Sequence, residues 1–479
     1  MRVLFASPEI YPMAKTGGLG DVGAALPAAL AAQGMDVRLV MPAYPSALRA
    51  VVDAAPPRFL AQFEGLGRAD VIEAVTPDSR LPIWLIANPD LYDRGGDPYR
   101  DDAGADWPDN LERFALFSRA AARLSEQGSP FEWQPDVVHA NDWHAGLMVP
   151  LLLGEARRPR LLFTVHNIAF QGTFAAERFA LTGLPEELRA EAGIGHDGGF
   201  SLLKAGLQFA DWVTTVSPTY ACEIQTPQFG CGLEGLLAGR AESLSGILNG
   251  VDYSLWDPAR DASLTARYSA EDLSGKAACK AALLRDFGLP ESPGAPLFGI
   301  VSRLTEQKGI DLVPAALERA LDAGAQLVVL GRGDTPFELL LQEFAAARSG
   351  NVALRLTYDE PLAHAVEAGA DIFLMPSRFE PSGLNQMYSL RYGTPPIVHR
   401  VGGLADTVVD SDVASLHDET ATGFCFDEPA AAAFEQAIAR ALALFADTTQ
   451  WRQLQRNGMR QDFSWHRSAH EYIDLYNSL

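Results

Sequence analysis

The sequence is short of cysteine, short of positive charge and without any long apolar run, and each shortage closes off a class of protein. Its four cysteines, Cys222, Cys231, Cys279 and Cys425, show neither CxxC spacing nor a neighbouring histidine pair. That pattern suggests no metal site and no disulfide framework, and it fits a reducing cytoplasm. Lys and Arg number 38 against 61 Asp and Glu, a formal charge of −23, which argues against a nucleic-acid partner. The same field repels anionic substrates at long range, although salt screens it beyond about 8 Å. Any phosphate site therefore has to be a local, enclosed set of donors. No apolar stretch reaches the roughly 18 residues of a membrane-spanning helix, so no membrane partner is expected. The segment after Met1-Arg2 meets Pro8, Glu9 and Pro12 too early for a signal peptide. A Walker loop, HExxH and GxSxG are all missing, which disfavours a nucleotide hydrolase, a metalloprotease or a serine hydrolase.

What is present is 479 residues, 48% of them hydrophobic, too long for one ordinary core and enough for two. Short apolar runs alternate with Ala- and Leu-rich amphipathic segments, the pattern of parallel sheets flanked by helices. Strands are predicted at 3–6, 37–41, 136–140, 161–165 and 212–216, and again at 297–301, 326–330, 352–356, 372–375 and 396–398. A helix follows the first strand, with a kink or restart expected at Pro27 and Gly34 closing it. The fold class is thus α/β with two doubly wound units, parting near Asn249-Gly250-Val251-Asp252.

Open parallel sheets bind ligands at the carboxyl ends of their strands, so the residues just past each strand are the candidates. After the first comes Lys15-Thr16-Gly17-Gly18-Leu19-Gly20-Asp21. Glycines let backbone N–H groups approach phosphate, a helix start adds positive potential, and the lysine adds a mobile cation; a plain connecting loop is the other reading. Gly18, Gly20 and Gly23 also satisfy GxGxxG, but the first glycine stands too far from the strand for a dinucleotide turn. An oxidoreductase is thereby a minor alternative. After the first strand of the second sheet, Arg303 and Lys308 offer two cations that suit a diphosphate leaving group without a metal, or are simply two solvated basic residues. Past 372–375, Glu380 precedes Gly383 and Leu384 in a loop that opens a helix. In the first half Asn141-Asp142-Trp143-His144 and His166-Asn167 follow strands and supply groups that bind hydroxyl-rich sugars. Asp410-Ser411-Asp412 matches a metal-binding DxD pattern but sits in an acidic loop expected to be solvated, and no metal or cofactor is expected.

Together with Asn249-Gly250-Val251-Asp252 and Arg378-Phe379-Glu380-Pro381, and in this order along essentially the whole chain, these segments resemble the bacterial glycogen synthase and plant starch synthase family. The resemblance implies a GT-B fold, two Rossmann-like domains facing across a cleft. Residues 1–248 would form the acceptor side and 249–455 the donor side, with 456–479 crossing back as a final helix. It implies retaining transfer of α-glucose from ADP-glucose to the 4-hydroxyl at the non-reducing end of an α-1,4-glucan. The start at the first strand resembles the bacterial rather than the plastid form. By the same resemblance, Lys15 would contact donor phosphate and sugar, with Gly17 and Gly18 beside it, and Arg303 and Lys308 would neutralise the diphosphate. Gly383 and Leu384 would offer N–H groups. His166, Asn249 and Glu380 would surround the glucose, with Asn167 on the same rim. Asp142 would lie near the reacting centre, Asp21 would line the cleft and Tyr358 would stack on adenine. The chain departs from the family pattern at Ser382, where cysteine is usual, and carries Tyr388 where related retaining transferases have a second glutamate. A transferase with another donor or acceptor, and a non-catalytic glucan-binding protein, are the remaining readings; no lysine motif for pyridoxal phosphate suggests a phosphorylase.

Overall fold

Strands of a parallel sheet are covered on both faces and so read as apolar runs rather than as alternations. In the computed structural model, which describes residues 1–292 and 294–479, the runs fall into two units: Met1–Gly250 with Trp465–Leu479, and Val251–Ser464. The first unit opens with β1 (Arg2–Ala6), β2 (Asp36–Pro42), β3 (Arg58–Phe63), β4 (Gly67–Val75), β5 (Pro82–Ala87), β6 (Val137–Asn141) and β7 (Arg160–Val165). A small antiparallel sheet of β8 (Thr173–Ala175), β9 (Gly195–His196) and β10 (Gly199–Ser201) follows, then β11 (Trp212–Thr215) and β12 (Leu244–Gly246). The main sheet has the order β12-β11-β7-β6-β1-β2-β5-β4-β3. It is parallel from β12 to β5, and β4 and β3 extend it antiparallel.

The second unit holds β13 (Leu297–Val301), β14 (Gln326–Leu330), β15 (Val352–Arg355), β16 (Ile372–Met375), β17 (Pro396–His399) and β18 (Phe424–Phe426), all parallel, in the order β15-β14-β13-β16-β17-β18. The helix after β1, Gly18–Ala32, carries Pro27 in its interior. The expected restart there does not occur, because one missing N–H is outweighed by Leu26 and Leu30, both fully buried on the same face. Gly34 follows the helix in the left-handed region, as expected.

The closing segment 456–479 is not one helix. Thr448–Met459 belongs to the second unit and Trp465–Ser478 to the first. Between them Asp462 accepts from the Ser464 amide at 2.9 Å, a local turn that competes with helix. The last helix packs Ala469, Tyr472 and Tyr476 into the core of the first unit. The Tyr476 hydroxyl and Thr164 Oγ1 meet the two ring nitrogens of His139 at 2.7 and 2.6 Å. His139 is fully buried, and burial lowers its pKa to about 3. It is a core residue of β6. Among the described residues no helix is long and apolar enough to cross a membrane.

Candidate active site

In the first unit, residues 7–17 fold back over the start of the helix Gly18–Ala32. The fit is close: a Cβ at Gly23 would lie 2.4 Å from the Glu9 carbonyl oxygen, and one at Gly20 would lie 3.0 Å from the Lys15 Cβ. Packing of this segment therefore accounts for two of the three glycines that mimic a dinucleotide fingerprint. The Glu9 carboxylate, itself 2% exposed, accepts from the Thr16 amide, from Thr16 Oγ1 at 2.7 Å, from the Gly17 amide at 3.2 Å and from the Tyr99 hydroxyl. The expectation that the loop's glycines turn their N–H groups to phosphate is thus corrected at Gly17, whose amide an internal carboxylate already holds. Gly18 begins the helix. Lys15 Nζ reaches Asp21 at 2.7 Å and lies 5.4 Å from the centre of the Tyr11 ring.

β6 ends at Asn141, and Asp142 takes φ +56°, a left-handed conformation that aspartate tolerates better than most side chains. The turn aims its carboxylate at the end of β7, where it accepts from the His166 amide at 2.8 Å and from the Asn167 amide. Burial pushes the Asp142 carboxyl up to about 7; the two amides oppose the shift and the charge of Glu9 adds to it. His166 Nε2 lies 2.9 Å from Asn141 Oδ1, and Asn141 Nδ2 donates to the Ala6 carbonyl at 3.1 Å. That network assigns the proton to Nε2 and leaves Nδ1 an acceptor. Burial lowers the His166 pKa to about 3, so the ring is neutral. Asn167 Oδ1 accepts from the Ala169 amide at 3.1 Å, and Asn249 is buried near the end of the unit's first segment. His144 is stacked against Tyr99 and Trp143 at 4.7 and 3.9 Å.

In the second unit the loop after β13 contains a turn of 3-10 helix at Glu306–Lys308, closed by Gly309 at φ +64°. A Cβ on Gly309 would stand 2.0 Å from the Pro376 carbonyl oxygen, so glycine allows this loop to lie directly on the one after β16. The contact brings Lys308 Nζ into an ion pair with Glu380. Ser377 Oγ donates to the same carboxylate at 3.0 Å, and Gln307 Nε2 donates to the Phe379 carbonyl at 3.3 Å. Side chains of Lys308 and Glu380 are 16% and 7% exposed, which excludes the reading of Lys308 as a solvated surface cation. Arg303 is different: it points to solvent and reaches Gln307 at 3.5 Å. Arg378, from the same motif as Glu380, is held by Asp311 through two bonds of 2.7 Å.

Gly383 has φ +68°, and the helix Asn385–Arg391 starts just beyond Leu384. Ser382 is buried; its carbonyl accepts from Gln386 Nε2 at 3.0 Å. Tyr388 stacks flat on Trp256 at 3.8 Å, and Trp256 stacks on His364 at 3.7 Å. Tyr358, past β15, is 76% exposed. The Asp410-Ser411-Asp412 loop is solvated at Asp412, Asp418 and Glu419, as expected, but not at Asp410 and Ser411. Asp410 bonds Arg440 at 2.7 Å and the Cys425 amide at 2.7 Å, while Asp412 caps the helix Val413–His417. Among the described residues no three His, Cys, Asp or Glu side chains are grouped to hold a metal ion.

Sequence reasoning missed Glu9, Tyr99 and Ser377, which hold site residues in place. Glu9 stood three residues past the first strand, which was its only signal; nothing marked Tyr99, distant in sequence from every motif.

The starch synthase catalytic domain family matches residues 2–239, and the glycosyl transferases group 1 family matches residues 285–457. The chain is 52% identical to a glycogen synthase of Thioalkalivibrio sulfidiphilus, covering 100% of both chains. It is 50% identical to one of Paramagnetospirillum magneticum over 100% of this chain and 98% of the relative. The solved catalytic domain of Starch Synthase IV from Arabidopsis thaliana, bound to ADP and acarbose, superposes with a TM-score of 0.89 at 35% identity, over 100% of this chain and 98% of that one. Two Rossmann-like units of this kind constitute the GT-B fold, and with these matches along its full length the chain belongs to the glycogen synthase and starch synthase family of glycosyltransferases.

Proposed function

We propose that this protein elongates an α-1,4-glucan, transferring α-glucose from ADP-glucose to the 4-hydroxyl at the non-reducing end with retention. The observation that carries the reading is the enclosed Lys308–Glu380 pair: a cation fixed beside a carboxylate, at the ends of two adjacent parallel strands. In the reaction the bond from the sugar C1 to the diphosphate oxygen breaks and a bond from C1 to the acceptor oxygen forms on the same face. The acceptor's proton passes to the departing phosphate, so no protein nucleophile is required. Lys308 and Arg303 meet the charge that develops on the diphosphate, which matters more in the transition state than in the bound donor. Lys15 adds a third cation, held by Asp21, and the Gly383 and Leu384 amides add neutral donors.

Glu380 of the second unit is assigned to hydroxyls of the donor glucose, and so are His166 Nδ1, left free of its proton by Asn141, and Asn249 of the first. Asp142 and Asn167 serve the acceptor side, and Tyr358 gives adenine a face to stack on. Ser382 replaces the family's cysteine without disturbing the turn, whose carbonyl is already bonded to Gln386. The site calls for no cofactor, and the free cysteines fit a cytoplasmic setting. The test is product analysis: maltotetraose offered with ADP-glucose should grow by single glucose residues, each new linkage showing an α anomeric proton by NMR. A β linkage, or free glucose and no longer oligosaccharide, would overturn the assignment.

A further inference from the structure

Glu9 has no role in the chemistry above, yet it is the carboxylate on which the glycine loop of the first unit is assembled. It is 2% exposed and accepts from four donors. Two are backbone amides of the glycine loop, one is the Thr16 hydroxyl of that loop, and one is the phenol of Tyr99, ninety residues away. A buried carboxylate requires such donors, and these donors in turn are removed from any ligand. The Thr16 and Gly17 amides are spent internally, so these two donors of the glycine loop are directed at Glu9 rather than at an anion.

The same bonds fix where that cation sits. Thr16 and Gly17 directly follow Lys15, and Gly20, whose amide bonds back to the Gly17 carbonyl, lies against the Lys15 Cβ. With the chain pinned on one side and the helix on the other, Lys15 is presented from a rigid base. Tyr99 joins Glu9 to the ring of His144, on which it stacks at 4.7 Å, and His144 lies two residues from Asp142.

We propose that Glu9 is a positioning residue for the transfer: its carboxylate replaces a bound anion in the glycine loop, orients Lys15 toward the donor and sets the electrostatic surroundings of Asp142. The inference rests on the functional reading above for the identity of the donor. Around Asp142 stand Glu9 from the segment after β1, His166 and the two amides after β7, Tyr99 from the 93–107 segment and Tyr220 from the helix Pro218–Glu223. Among the charges Glu9 is the one that disfavours the Asp142 anion, so its neutralisation makes Asp142 ionise at lower pH.

The experiment combines Glu9→Gln with two milder variants, Thr16→Val and Tyr99→Phe, each of which removes one donor and keeps the carboxylate. In Glu9→Gln, kcat/KM for ADP-glucose should fall about 10- to 100-fold, the scale of a lost charge-assisted contact. In a Lys15→Ala background the same substitution should add little, because its effect passes through Lys15. The acid limb of the pH profile should move to lower pH in Glu9→Gln and stay in place in Thr16→Val. Full additivity with Lys15→Ala, together with an unmoved pH limb, would reduce Glu9 to a structural residue and overturn the inference. Hydrogen exchange of the 14–20 segment supplies a readout independent of turnover. Thr16 and Gly17 should be protected in the unmodified protein and exposed in Glu9→Gln, and equal exchange in both would also overturn it. Absence of transfer by the unmodified protein would instead defeat the functional reading, while the exchange result still judges the clamp.

Discussion

Lys308 and Glu380 share a pocket that admits little water, so neither can be removed as though it stood alone. Lys308→Ala leaves a buried carboxylate with Ser377 as its remaining side-chain donor, and stranding one member of a buried pair costs about 3–5 kcal/mol. This alters the simplest reading of the motif, in which removing the lysine affects only turnover. The single variant should lose both transfer and stability, measured by denaturant midpoint. Lys308→Met combined with Glu380→Gln should recover most of the stability and none of the activity. Recovery of turnover in the double variant would mean that the pair is structural. Asp142 gives a second expectation at this scale. Its carboxyl, pushed up to about 7 by burial, is largely neutral at pH 6 and ionised at pH 8. If the anion faces the acceptor, kcat/KM for the glucan should rise with pH through about 7. Asp142→Asn should be slow and lack that limb. A profile flat from pH 6 to 8 in the unmodified protein would contradict this role.

At the scale of elements, the last helix carries an expectation of its own. Tyr476→Phe removes a hydroxyl from a His139 nitrogen that no water reaches, and an unsatisfied buried group costs about 1–3 kcal/mol. The thermal midpoint should fall while KM for the donor stays unchanged; a silent substitution would show that the bond is unimportant. Most parallel strands were legible from sequence because burial on both faces makes them continuous apolar runs, as in β1, β6 and β7; β5 was overlooked although it is such a run, and β12 and β18, three residues each, are too short to form one. β3 and β4 were not legible, because their exposure varies along the strand and breaks the run. The same logic sorts the site. Lys15, Asp142, His166 and Glu380 follow strands of high contrast, so their position drew attention. Tyr99 sits in an irregular segment of turns, and its bond to Glu9 spans ninety residues of sequence, which no local pattern encodes. The single closing helix was misread because the Asp462 turn that splits it looks, in sequence, like any polar helix position.

For the whole molecule, acid stability has a direction that follows from the histidines. His139 and His166 have folded pKa values lowered to about 3 by burial, against an ordinary value of about 6.5. Between those limits the unfolded chain binds more protons, so their contribution is fully present above pH 6.5 and is lost as pH falls toward 3. Asp142 acts oppositely: with its carboxyl raised, its contribution is full below about pH 4 and lost as pH rises through about 7. Two histidines outweigh one carboxylate, and all three groups lie in the first unit. Limited proteolysis at pH 5 should therefore cut first within residues 1–250; cleavage confined to 251–464 would contradict the assignment.

The chain's central activity is transfer of glucose from a nucleotide donor to a glucan, and the most direct measurement offers glycogen with radiolabelled ADP-glucose and, separately, radiolabelled UDP-glucose. Label should enter the polymer from ADP-glucose, faster than from UDP-glucose, and be released again by an α-1,4-specific glucanase. Well-folded protein that incorporates label from neither donor would contradict the account.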